Sequence, residues 1–107
     1  MQQITAQQLQ QWLTSTERTA PLLLDVREPW EYQIAHIDGA QLIPMHDIPA
    51  RAAQLDQQAD MVIICHHGVR SMQVAHFLEH QGFAHIYNLR GGVDAWAQSI
   101  DRTMSTY

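Results

Sequence analysis

A chain of 107 residues, 46% hydrophobic and 16% charged, can bury one modest core and is too apolar to be compositionally disordered. Eleven acids against six bases, all arginine, give a net charge of −5, which argues against a general nucleic-acid or anionic-membrane surface. The single cysteine excludes an internal disulfide.

Met1-Gln2-Gln3-Ile4 lacks the basic and apolar regions of a signal peptide, and no apolar run approaches a membrane span. The expectation is one cytoplasmic domain over residues 1–107, with a loose polar tail over about 98–107. Residues 5–14 predict a helix. Thr5 and Gln8 make a capping-box pattern, Ile4 and Leu9 occupy staple positions, and Leu9, Trp12 and Leu13 share one face. Leu22 to Val26, apolar except for Asp25, predicts a strand buried on both faces. Pro29 suits the first turn of a short helix to about Ala35. Gln41 to Ile43 predicts a short strand stopped by Pro44, and Asp47 to Leu55 a helix. Met61 to Ile64 is the clearest buried strand. A loop from Cys65 leads into a helix from Ser71 to Gln81, stopped by Gly82. His85 to Leu89 predicts the last strand, and Gly91-Gly92 turns into a terminal helix carrying Val93 and Trp96. Trp12, Trp30 and Trp96 are expected in the core, on apolar stripes.

Strands alternating with helices through short connections imply a mostly parallel α/β sheet with helices on both faces. Such sheets bind ligands beyond the carboxyl ends of their strands, which selects the loops after Val26, Ile43, Ile64 and Leu89. The loop Cys65-His66-His67-Gly68-Val69-Arg70 follows the most apolar strand and precedes a helix. A cysteine there is open to three acidifying influences: converging backbone N–H groups, the helix dipole and the fixed charge of Arg70. Gly68 permits the close approach or positive φ of such a cradle. No Asp or Glu occurs from Met61 to Leu78, so the segment suits an anion. A buried, inert structural cysteine is the alternative on the loop alone. Asp25 and Arg27, at the end of the second strand, read either as an internal ion pair or hydrogen-bond hub or as support for the cysteine loop, and support is expected rather than direct chemistry. Ser71 is expected to cap the following helix. His76 and His80 have a ligand-compatible i, i+4 spacing, but too few partners converge on them, so no metal is expected.

Several separated motifs resemble the single-domain rhodaneses, a sulfurtransferase family. They are Asp25-Val26-Arg27-Glu28 with Trp30-Glu31-Tyr32, His36-Ile37-Asp38-Gly39-Ala40 with Ile43-Pro44, Cys65-His66-His67-Gly68-Val69-Arg70-Ser71, and Leu89-Arg90-Gly91-Gly92 with Ala95-Trp96. Ala35 departs from the family pattern, which usually has glycine before His-Ile. The resemblance implies a three-layer rhodanese-like domain with a five-stranded sheet. It implies that Cys65 carries sulfane sulfur as a persulfide, taken from thiosulfate or a similar anionic donor and passed to cyanide or a thiol by a ping-pong route. His66, His67, Gly68, Val69, Arg70 and Ser71 would form the substrate cradle, with Arg70 holding the donor, and no cofactor is implied. Two other readings stand beside it: a regulatory module or protein-to-protein sulfur carrier, and phosphatase or arsenate-reductase chemistry. The last is disfavoured by a Cys-x4-Arg loop one residue shorter than Cys-x5-Arg and by the absence of a carboxylic acid in the loop.

Overall fold

The computed structural model describes residues 1–107 as five strands and five α-helices around one parallel sheet. The strands are β1 (Gln2–Ile4), β2 (Leu22–Asp25), β3 (Gln41–Leu42), β4 (Met61–Ile64) and β5 (Ile86–Leu89). The helices are α1 (Ala6–Thr14), α2 (Pro29–Ile34), α3 (Ile48–Arg51), α4 (Val69–His80) and α5 (Gly92–Ser99). The spatial order is β1-β5-β4-β2-β3, and every pairing is parallel.

Side chains alternate across the central strands and so build two cores. Leu24, Met61, Ile63 and Ile86 face Ile48 of α3 and Val74, Ala75 and Leu78 of α4. Leu23, Val62, Ile64 and Leu89 face Ala6, Leu9 and Trp12 of α1 and Val93 and Trp96 of α5. Each fully buried Leu or Ile contributes roughly 1.5–3 kcal/mol. Helices thus cover both faces, which is why β4 tolerates no polar residue.

Thr5 caps α1 through the expected box with Gln8, at 3.1 Å and 2.9 Å. The helix expected over 47–55 is broken instead. Only Ile48–Arg51 is α-helical, with 3-10 turns at Met45–Asp47 and Ala52–Gln54 on either side. Pro49 suits a first turn, but its missing N–H and its ring prevent a continuous helix through the Met45–Asp47 turn. Strand β1 is a further element. Only Ile4 of its three residues is buried, so no apolar run announces it. Trp12 and Trp96 are core residues, but Trp30 is 58% exposed on α2, against expectation. In this six-residue helix at the sheet margin only Glu31 is fully buried and Tyr32 alone packs against a core, which leaves Trp30 on the outer side.

From β2 the chain turns outward to β3, and from β4 it goes the other way to β5. Neighbouring strands β2 and β4 therefore send their exits apart, and a crevice opens at their carboxyl ends. Asp25 ends β2, and Cys65 follows β4.

Candidate active site

Cys65 is 1% exposed and forms the floor of the loop that joins β4 to α4. The Gly68 N–H donates to its Sγ at 3.0 Å. Gly68 does so with φ of +103°, a conformation that other residues adopt only with strain. The N–H groups of His66, His67, Val69, Arg70 and Ser71 make no hydrogen bond of their own. For the last three this follows from helix geometry, because the first turn of α4 has no preceding carbonyls to use. The loop therefore offers one N–H to the sulfur and keeps five further N–H groups unengaged.

The loop carbonyls are used differently. Cys65 O accepts from Val93 N–H at 2.8 Å and His66 O from Asp94 N–H at 3.0 Å. The first turn of α5 thus consumes the acceptors of the loop and leaves its donors. Gly92 makes this possible: a Cβ there would lie 2.2 Å from Cys65 O and 2.5 Å from His66 O.

Ser71 does not cap α4. The N-cap is Gly68, and the helix begins at Val69, two residues earlier than expected. Ser71 consequently lies within the first turn, buried, with Oγ 3.3 Å from Cys65 Sγ. It also donates to Oδ1 of Asn88, a buried residue of β5.

Arg70 is expected to hold an anionic donor, and in the structure its Nη1 and Nη2 meet the Glu31 carboxylate at 2.6 Å and 2.8 Å. This bidentate contact holds Glu31 down to about 2, from an ordinary 4.5, and raises the Arg70 pKa. Glu31 also receives the Tyr107 hydroxyl at 2.8 Å. Asp25 and Arg27 form an ion pair at 2.7 Å, with neither side chain exposed. Burial alone would lower the Arg27 pKa, but the hydrogen bonds it donates to Asp25 and Tyr107 outweigh it and hold the guanidinium charged. Arg27 also donates to the carbonyls of Glu31 and Ala35, at 3.3 Å and 2.7 Å. It thereby fixes the C-terminal half of α2 beside the loop.

The C-terminal segment, expected to be a loose tail, returns to the site. Tyr107 stacks on His66 at 4.1 Å and accepts from Arg27 at 2.7 Å. His66 in turn stacks on His67 at 4.0 Å, with ring planes 21° apart. Burial, and secondly the neighbouring His67, lower the His66 pKa, so its ring is neutral at pH 7. One donor atom each of His66, His67 and Asp94 lies within 4.8 Å of the others. His76 and His80 are exposed on α4, and Arg90 is exposed after β5.

Glu31, Asn88 and Tyr107 are the site residues that sequence reasoning missed. Glu31 lies within a motif quoted for the resemblance, but nothing marked it as the partner of Arg70. Asn88 carried one faint signal, a polar residue within an apolar strand at the carboxyl edge.

A rhodanese-like domain model matches residues 5–99. A sulfurtransferase of Allochromatium vinosum is 41% identical over 90% of this chain and 88% of its own length. The probable adenylyltransferase/sulfurtransferase MoeZ of Mycobacterium tuberculosis is 41% identical over 97% of this chain, which spans 26% of that protein. The thiosulfate sulfurtransferase GlpE of Pseudomonas fluorescens is 40% identical over 70% of this chain and 69% of its length. Among solved structures, a Staphylococcus saprophyticus protein superposes with a TM-score of 0.84 at 31% identity, covering 94% of this chain and 97% of its own. The chain belongs to the rhodanese-like domain family.

Proposed function

We propose that this chain is a sulfurtransferase that moves sulfane sulfur through a persulfide on Cys65. The observation that carries the reading is the buried Cys65 thiol, met by the Gly68 N–H in a loop whose other N–H groups are unengaged. Such donors stabilise a localised anion in a partly dry site without reorganising. The Cys65 thiolate attacks the outer sulfur of thiosulfate; its S–S bond breaks and sulfite leaves with the electron pair. The negative charge then sits on the terminal persulfide sulfur, further toward the free donors. Cyanide or a thiolate attacks that sulfur, the Cys65 S–S bond breaks, and the thiolate returns. No external electron is needed.

Arg70 serves this cycle through its charge and by fixing the loop. Two of its N–H groups are committed to Glu31, so the donor anion is held mainly by backbone N–H groups. The side chains of His66, His67 and Val69 border the mouth, and Asp25 and Arg27 hold its far wall.

A protein acceptor is a second reading, favoured by one observation. Trp30 and Val69 are large exposed apolar residues beside the mouth, and Tyr107 stacks edge-on against Trp30 at 5.7 Å. Exposed aromatics rimmed by polar groups suit protein contact. Phosphate chemistry is not favoured: Glu31, the carboxylate bound to Arg70 of the loop, is held in its ionised form and does not act as a general acid near neutrality.

The test is intact mass after incubation with thiosulfate and again after cyanide, for wild type and Cys65→Ser. The expected outcome is one added sulfur atom in wild type only, removed by cyanide with release of thiocyanate. A folded, reduced wild type that gains no sulfur from thiosulfate or from a protein persulfide rejects the reading.

A further inference from the structure

We infer that Asn88 is a positioning residue that controls the charge state of Cys65 through the single hydroxyl hydrogen of Ser71. The inference deepens the persulfide reading, because it concerns how the same sulfur is poised.

The orientation of the Asn88 amide is fixed by its neighbours. Its Nδ2 faces two acceptors, the Gly68 carbonyl at 3.3 Å and Gln3 Oε1 at 2.9 Å. A carbonyl cannot donate, so Oδ1 must be the atom turned to Ser71. Oδ1 accepts only, so the Ser71 hydrogen points to Asn88. Ser71 Oγ then presents lone pairs to Cys65 Sγ, 3.3 Å away. A thiol satisfies this arrangement, because its S–H donates to Ser71. A thiolate does not. To receive a hydrogen bond from Ser71 it must take the hydrogen from Asn88 and leave a buried amide oxygen unpaired, which is costly. Asn88 is 1% exposed, so no bulk water replaces the lost donor.

The persulfide escapes this conflict. Its charge lies on the outer sulfur, away from Ser71 and toward the free loop N–H groups, and the Ser71 hydrogen stays on Asn88. Of the three states of Cys65, only the bare thiolate is penalised. Asn88 therefore keeps the thiolate basic, and a more basic thiolate is the stronger nucleophile.

The charged and titratable groups around Cys65 are Arg70 on α4, Glu31 on α2, Asp25 and Arg27 after β2, His66 and His67 in the loop, Asp94 on α5, and Tyr107. None of them hydrogen-bonds to Ser71 or Asn88. Substituting Asn88 thus leaves their contacts in place.

The experiment is the pH profile of Cys65 alkylation by iodoacetamide, which requires no sulfur donor and so stands whether or not the protein transfers sulfur. Asn88→Leu frees the Ser71 hydroxyl to donate to the thiolate. The midpoint should fall by about one pH unit, a tenfold rise in thiolate below the midpoint. In a Ser71→Ala background the same substitution should leave the midpoint where it was. An unchanged or raised midpoint in Asn88→Leu overturns the inference, as does an equal fall in both backgrounds. Ser71→Ala alone decides the matter should Asn88→Leu not fold. If Ser71 were simply a donor to the thiolate, that change would raise the midpoint by about one unit; with its hydrogen held by Asn88, it should not rise.

Discussion

Asp25 and Arg27 lie at the carboxyl end of β2 with no side-chain exposure, and each is satisfied chiefly by the other. The Arg27 guanidinium spends its remaining donors on the Glu31 and Ala35 carbonyls and on Tyr107. Removing one charge from such a pair strands the other in a dry place. Asp25→Asn keeps the shape but leaves a buried cation, and should cost about 3–5 kcal/mol in urea unfolding. It should also slow sulfur transfer, because Arg27 holds α2, and α2 carries the carboxylate that fixes Arg70. A loss of stability below about 1 kcal/mol would show that the pair is merely tolerated. The motif Asp25-Val26-Arg27 made this pair legible in the sequence, since two opposite charges in a strand end buried on both faces have few other partners. The Glu31 and Asn88 contacts were not legible. Glu31 meets Arg70 across 39 positions and Asn88 meets Ser71 across 17, and neither helical nor strand periodicity carries information at that range.

The loop and α5 work as one element, because the carbonyls of Cys65 and His66 cap the start of α5. Gly92 is the contact point, with a φ of +61° and no room for a Cβ against the loop backbone. Gly92→Ala must push α5 off the loop, so it should abolish sulfur uptake and cost more than 3 kcal/mol. Gly39 is the control. Its φ is +85°, but a Cβ there would meet nothing within 4 Å. Gly39→Ala should cost only the backbone strain, about 1–2 kcal/mol, and leave sulfur uptake intact. Equal losses for the two variants in thermal melts and sulfur loading would remove the steric argument. Elements with a buried stripe, such as α1, β4 and α5, were readable from pattern. At the sheet margin pattern said less: β1, which buries one residue of three, was not expected, and α2 was placed by Pro29 but exposes Trp30 rather than burying it. Periodicity predicts which face is apolar, and at an edge that face has nothing to cover it.

Across the molecule, the crevice between β2 and β4 is closed by contacts between distant segments, and Glu31 is their junction. Its carboxylate takes two N–H groups of Arg70 on α4, the Tyr107 hydroxyl, and the Glu28 N–H at 3.0 Å. These interactions hold its pKa at about 2, against 4.5 in an unfolded chain. A carboxylate depressed in the folded state binds fewer protons there than when unfolded. It therefore stabilises the fold fully above the unfolded value, and that stability is lost as pH falls from 4.5 toward 2. The Arg70 side chain is 34% exposed, so solvent screens the pair. The contribution at neutral pH is then on the order of 2 kcal/mol, short of the full linkage value. Glu31→Gln is isosteric and cannot ionise. Urea unfolding of the two proteins should show a constant gap of about that size above roughly pH 5.5, shrinking steadily as the wild-type carboxylate is protonated. A gap that does not change between pH 6 and pH 3 would mean that Glu31 acts through shape alone and that its charge does not hold the site closed.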